Sequence, residues 1–293
     1  MGEPDTRTTI LLPELAVIPG HLIWRAAARV TTALGETLPP GVDIHAYAAL
    51  LALAAGQARS QQWLADTVAV SRTTMTKVAA DLVDQGLVER VRNPDDRRSY
   101  LLTRTPEGAV AARRWRRHAE DLEEMITAGF SVAEREALRD LLRDVARPWL
   151  SVETPDALLD SIGFLVTRIH GRMHAELMTS LRDLGLEPRH IGSLVALSAT
   201  GPVAQAELAR LLGISGPTVV EIVDHFEHLG LVERRRLPTD RRTQALHVLP
   251  AAERLLPLAI TRASVVTDEL LAPIGKAGRR RLVALLQRLV RGG

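Results

Sequence analysis

Two triplets of the same composition, Asp96-Arg97-Arg98 and Asp240-Arg241-Arg242, are the densest points of the chain's side-chain chemistry. Arg90 and Arg92 lie just before the first and Arg236 just before the second. Guanidinium groups on a short segment suit phosphate oxygens and the negative potential of a narrow minor groove. Ahead of the first triplet lies a second polar set, Ser71, Arg72, Thr73, Thr74, Thr76 and Lys77, whose hydroxyls and cations can reach phosphates and base edges. Other chemistries lack their residues. The chain has no cysteine, which removes thiolate nucleophiles, zinc–cysteine sites and disulfides together. No nucleophile–base–acid set, phosphate-cradling glycine loop or carboxylate pair stands out, so no enzyme, cofactor or metal site is expected. Net charge is only +2, from 37 Lys+Arg against 35 Asp+Glu, so attraction to a polyanion must come from where the arginines sit.

The elements that position these groups occur twice. A shift of 144 residues carries Gly86-Leu87-Val88-Glu89-Arg90 onto Gly230-Leu231-Val232-Glu233-Arg234, Pro94 onto Pro238 and each triplet onto the other. A period this long marks a duplicated domain rather than a solenoid. The boundaries read as 1–148 and 149–293, with a linker at 147–156 that holds Pro148 and Pro155. In each copy a first helix (18–37, 160–183) and a second (43–55, 187–199) precede a short helix and a turn ending at Ser71 or Ser215. The next helix places Met75, Val78, Ala79 and Leu82, or Val219, Ile222, Val223 and Phe226, on one face. Ser71 and Ser215 read as N-caps, Gly86 and Gly230 as helix-ending glycines. A β-hairpin follows, with strands at 87–92 and 99–104 in copy one. Thr105-Pro106-Glu107 then opens a long helix, and Ser131 to Glu134 has the capping-box pattern for another.

This layout resembles the MarR family of regulators. The run Leu64-Ala65, Val70-Ser71, Leu82, Gly86 to Arg90, Asp96-Arg97-Arg98 and Thr105-Pro106-Glu107-Gly108 is similar to the family pattern, and copy two repeats it as far as Arg242. The resemblance implies a mainly α fold with small β-hairpin wings: two winged helix-turn-helix domains related by pseudo-twofold symmetry and joined by a helical core of the dimerisation type. It implies a sequence-specific DNA-binding regulator, a ligand-responsive repressor acting as a monomeric pseudo-dimer on an imperfect inverted repeat, with a small-molecule effector. The lack of a basic segment followed by an apolar core at the N-terminus, and of an uncharged run of about 18 residues, gives the expectation of a cytoplasmic chain with no membrane partner. The DNA-contacting residues would be Ser71, Arg72, Thr73, Thr74, Thr76, Lys77, Arg92, Arg97 and Arg98, with Ser215, Thr218, Arg236, Arg241 and Arg242 in copy two. Asp96 and Asp240 would orient Arg98 and Arg242.

The copies differ where DNA would be read. Gly216, Pro217, Val220, Glu221 and Asp224 form the exposed face of the second recognition helix, and Glu221 stands where copy one has Lys77. A carboxylate there repels phosphate unless it accepts a cytosine amino group. Either the operator halves are unequal or the second lobe has left DNA binding; the contrary reading is that wing arginines and helix N-termini suffice.

An effector pocket has candidate residues in His21, Trp24, Arg25, Trp63, Trp115, His118, His170 and His174. Ordinary packing between the lobes is the competing reading and is favoured for both Trp24 and Trp149. His170 and His174 have a spacing that can hold a metal, but no acidic or cysteine partner is near in sequence, so they read as buried or pocket-lining. A run of four arginines, Arg113, Arg114, Arg116 and Arg117, precedes Glu120, Asp121 and Glu124 at helical spacing and reads as a solvated face. The rival function is a protein that sequesters a drug or metabolite on the duplicated scaffold, with DNA binding reduced or lost.

Overall fold

Helices and two small antiparallel sheets make up the computed structural model, which describes residues 11–38, 42–96, 98–236 and 244–292. Copy one runs α1 (Pro13–Ala16), α2 (Pro19–Thr37), α3 (Ile44–Ala52), α4 (Gln61–Thr67), α5 (Arg72–Asp84), β1 (Val88–Arg92), β2 (Tyr100–Arg104), α6 (Pro106–Ile126) and α7 (Val132–Ala146). Copy two follows as α8 (Asp156–Leu159), α9 (Ile162–Leu181), α10 (Pro188–Thr200), β3 (Val203–Ala204), α11 (Gln205–Leu212), α12 (Gly216–His228), β4 (Val232–Arg236), β5 (Gln244–Val248), α13 (Pro250–Leu270) and α14 (Gly275–Arg291). Among the described residues no helix is long and apolar enough to cross a membrane.

The helix α5 shows how local sequence sets each element. Ser71 Oγ accepts the Thr74 amide at 3.0 Å, removing one unpaired N–H from the first turn. Met75, Val78, Ala79 and Leu82 are each 2% exposed or less and form the apolar stripe. Gly86 ends the element at φ 69°, a left-handed position that costs glycine nothing. Thr105 accepts the Gly108 amide at 3.0 Å and donates to Gly86 O at 2.8 Å, tying the start of α6 to that turn. A Cβ on Gly108 would lie 2.0 Å from Leu87 O, so only glycine fits. In copy two Ser215 caps α12 as Ser71 caps α5, while Leu249 gives α13 no side-chain cap.

Both wings are antiparallel hairpins. Val88 faces Arg104 and Arg92 faces Tyr100 in the first; Val232 faces Val248 and Arg236 faces Gln244 in the second. The second sheet has a third strand, β3, in the order β3-β5-β4. Its counterpart in copy one is a single bridge from Arg59 to Leu102. Two residues or one are too short to show a period-2 pattern, so the hairpin reading lacked this strand.

The chain packs as two compact units: Met1–Ala26 with His170–Gly293, and Ala27–Ile169. The division runs through α2 and α9, so each unit takes the beginning of one first helix from the other copy. The expected boundaries, 1–148 and 149–293, follow the sequence repeat, whereas these compact units cross them. The unit Ala27–Ile169 has a core that includes Leu50, Leu64, Met75, Leu82, Val88, Leu102, Trp115 and Leu158. In the other, Phe226 is fully buried with Leu22, Leu194, Leu208, Val219 and Leu282.

The linker segment is docked rather than loose. Thr154 Oγ1 donates to Thr67 O at 2.9 Å, Glu153 pairs with Arg59 at 3.1 Å, and Trp63 Nε1 donates to the same carboxylate. Farther on, Glu123 of α6 accepts Ser161 Oγ at 2.6 Å and the amides of Ile162 and Gly163 at 3.0 and 2.9 Å, capping α9 from a distance. Burial raises its pKa, and the three hydrogen bonds oppose that rise.

Candidate nucleic-acid interface and cavity

In copy one, Arg72, Thr73, Thr76 and Lys77 are exposed on α5, opposite the buried stripe. Neither Arg72 nor Lys77 has an ion pair among the described residues. Three hydroxyls of the set are partly committed: Ser71 Oγ and Thr74 Oγ1 lie 2.8 Å apart, and Thr76 Oγ1 accepts Gln61 Nε2 at 2.6 Å while donating to Arg72 O. On the wing, Arg90, Arg92 and Arg98 are exposed and likewise without an ion pair among the described residues. Asp96 Oδ1 accepts the backbone amide of Arg98 at 3.0 Å, so its hold on that residue runs through the main chain. Asn93 closes the turn, bonding Ser99 O through its amide and Ser99 Oγ through its side chain. Arg97, Asp240, Arg241 and Arg242 lie outside the described residues.

Copy two places the same elements around different charges. Glu221 meets Arg189 at 3.4 Å, and Arg189 also holds Glu187 at 2.8 Å. Arg234, the counterpart of Arg90, binds Asp224 at 2.6 Å and also Glu227, and its side chain is only 17% exposed. Arg235 pairs with Glu233, while Arg236 is exposed at the end of β4. The acidic face of α12 is therefore balanced from behind, at the cost of a wing cation. The sequence showed the carboxylates; their arginine partners come from other elements, Arg189 from α10, 32 residues away, and Arg234 from the adjoining β4.

Within the unit Met1–Ala26 plus His170–Gly293 lies a cavity of about 440 Å³ with mostly apolar walls. His21 and Trp24 from α2 and His170 and His174 from α9 line it together. Thr218 and Ile222 of α12 form another part of the wall. The imidazole and indole of His21 and Trp24 are 5.4 Å apart, those of His170 and His174 6.0 Å. Burial, and then the nearby Arg25 charge, lowers the His21 pKa to about 4; burial, and then His174, does the same for His170. His21 Nε2 is buried without a hydrogen-bond partner. Among the described residues no cluster of three His, Asp or Glu side chains could hold a metal ion.

The other four pocket candidates sit elsewhere. Arg25 is 8% exposed and donates to Leu212 O at 2.5 Å, beside Gly213. Trp63 lies under the Arg59 guanidinium, 4.5 Å away, in the linker-docking cluster. Trp115 is packed in the core of the unit Ala27–Ile169, and His118 is half-buried on α6. Spacing along one helix could not separate these from the four cavity residues, because the cavity is closed by helices far apart in sequence.

Comparison with known proteins finds a family match in each copy. The family model described as MarR family matches residues 41–99 and 184–243, one stretch in each copy. A putative transcriptional regulatory protein for the hcr operon of Thauera aromatica is 35% identical over 143 residues, covering 43% of this chain and 86% of that protein. An uncharacterized HTH-type transcriptional regulator of Bacillus subtilis, YcgE, is 35% identical over 71 residues, covering 24% of this chain and 46% of its own length. Among solved structures, a probable transcriptional regulator from Pseudomonas aeruginosa has 30% identity and a TM-score of 0.42, covering 44% of this chain and 97% of that one.

Proposed function

Since the chain belongs to the MarR family of transcriptional regulators, we propose that it is an effector-responsive repressor in which one polypeptide supplies both DNA-binding lobes. The observation that carries the DNA-binding part is the contrast at equivalent positions. Arg72, Lys77, Arg90, Arg92 and Arg98 of copy one are exposed cations without a carboxylate partner among the described residues. Each can replace a counterion at a phosphate, and a capped α5 can carry its N-terminal residues to base edges. Copy two keeps the capped helix and the hairpin but ties Arg234 to its own acids. It therefore contributes backbone donors and Arg236 more than base reading, and the operator is an imperfect inverted repeat with one dominant half.

The effector part rests on the cavity. Its wall includes Thr218 and Ile222, which belong to the helix that copy two would present to DNA. A ligand that changes this wall shifts the population of DNA-competent lobes without touching DNA. Sequestration without DNA binding is the weaker reading, because Glu221, Asp224 and Glu227 are paired and repel phosphate less than unpaired carboxylates.

A mobility-shift titration with the DNA upstream of the chain's own coding region tests the proposal. Saturable binding that weakens steeply with salt is expected, and Arg98→Ala should lower the affinity and reduce the log–log salt slope by about 1. No shift at low salt, or an unchanged slope in Arg98→Ala, would count against it.

A further inference from the structure

Three exposed positions on the recognition helices change character together. Arg72, Thr73 and Thr76 of α5 correspond to Gly216, Pro217 and Val220 of α12. All six residues are exposed, so the exchange leaves core packing alone. Copy one offers a hydrogen-bonding side chain at each of the three, and copy two offers none. Val220 is 44% exposed, whereas α5 leaves no large apolar side chain in solvent.

Among the described residues nothing in the free chain gains from these changes. In copy one Thr76 Oγ1 accepts Gln61 Nε2 at 2.6 Å. Val220 has no acceptor to offer, and Gln205 Nε2, the counterpart of that donor, is buried without a hydrogen-bond partner among the described residues. A buried donor left unpaired is destabilising. Gly216 is helical, and a Cβ on it would meet nothing within 4 Å, so no close neighbour requires glycine there. Glycine is also a poor helix former. A lost hydrogen bond, a bare glycine and a valine in solvent break local rules with no return in folding, a pattern found where the gain comes on binding.

Their place in the fold names the surface they meet. The three residues open the helix that a winged helix-turn-helix lobe presents to the major groove, with Ser215 capping it as Ser71 caps α5. Farther along α12, Glu221 is held by Arg189 and Asp224 by Arg234, which draws the nearest polar side chains back onto their own unit. An apolar surface discriminates bases only through an apolar group, and in the major groove that group is the 5-methyl of thymine. Without a side chain, Gly216 lets a base edge come close to the helix.

We propose that Pro217 and Val220 select a thymine in the half-site that copy two covers, by contact with its 5-methyl group, and that Gly216 supplies the room for that contact. This rests on the DNA-binding reading above, and it names the base that the second lobe selects. A single methyl contact suits the weaker half of an imperfect repeat.

Fluorescence anisotropy of the full chain on the upstream duplex, with each thymine replaced in turn by deoxyuridine, tests it, because uracil lacks only the methyl. One or two replacements, all in one half of the duplex, should each weaken binding by about fourfold, the effect of one buried methyl. Val220→Ser, which removes both γ-methyls and returns an acceptor to Gln205, should bind the thymine and uracil duplexes equally at those positions. Gly216→Arg, whose side chain enters open space in the free chain, should remove the same dependence by holding the base edge away. It gives a second test if Val220→Ser misfolds. A thymine dependence that persists in either folded variant, or an unmodified chain indifferent to every replacement, would overturn the proposal. The two readings fail differently. Saturable, salt-sensitive binding that no deoxyuridine alters removes this inference alone, and no binding of any duplex at low salt removes both.

Discussion

Lys77 and Glu221 occupy the same place on two otherwise similar helices, and that exchange changes the charge offered to a phosphate by two. Structure adds what the sequence lacked: Glu221 is answered by Arg189, whose counterpart in copy one is His45. The exchange is thus compensated inside its own unit. Residue types were legible because exposed cations and carboxylates need no distant partner to be recognised as such. Their pairings were not, since Arg189 and Arg234 reach α12 from other elements. The cavity histidines carry a second consequence at this scale. His21 and His170 have pKa values near 4 in the folded chain against an ordinary 6.5, so the native state binds fewer protons between those values. Their contribution is complete above pH 6.5 and is lost as pH falls toward 4. Each shift is worth a few kcal/mol at most. Urea unfolding across this range should show stability falling with pH, and His21→Leu/His170→Ala should flatten the fall; an equally steep fall in that variant would mean other groups cause it.

At the scale of elements, the sequence carried most of the secondary structure. Serine caps, apolar stripes and left-handed glycines act within one turn of their own position, and α5, α12 and both hairpins follow from them. Missing from that reading were features made by distant contacts: the β3 strand, the linker docked by Thr154 and Glu153, and Glu123 capping α9. The turn between α11 and α12 joins both kinds. Gly213 takes φ 65°, and a Cβ there would sit 2.9 Å from the Arg25 guanidinium that holds Leu212 O. Its counterpart Ala69 carries a methyl at φ 51°, because the tether in that unit comes from Arg168. Gly213→Ala should therefore destabilise the chain by about 1–3 kcal/mol through the positive φ and the displaced arginine. Denaturant midpoints measure it, and a midpoint equal to wild type would show that the tether tolerates the methyl.

For the whole molecule, duplication frees two copies of one architecture to diverge in sequence. A homodimer must change both recognition helices and both pockets together, whereas a fused chain can change one of each. The repeat itself was plain in the sequence, because identical residues recur at a constant shift. The cavity was not, since its walls come from the start of α2 and from α9, α10, α12 and α13, and only their packing in one compact unit brings them together. On this account one chain saturates one operator duplex, which sedimentation of the complex would show as equal molar amounts; two chains per duplex would mean that the fused copies do not replace a dimer.

The central claim is that copy one reads DNA and copy two follows it, and the exchange at positions 77 and 221 tests this most directly. Fluorescence anisotropy on the upstream duplex should show Lys77→Glu lowering affinity by about tenfold or more, and Glu221→Lys raising it and steepening the salt dependence by about one counterion. Unchanged affinity in Lys77→Glu, together with a loss in Glu221→Lys, would assign the reading of DNA to the other lobe and contradict the account.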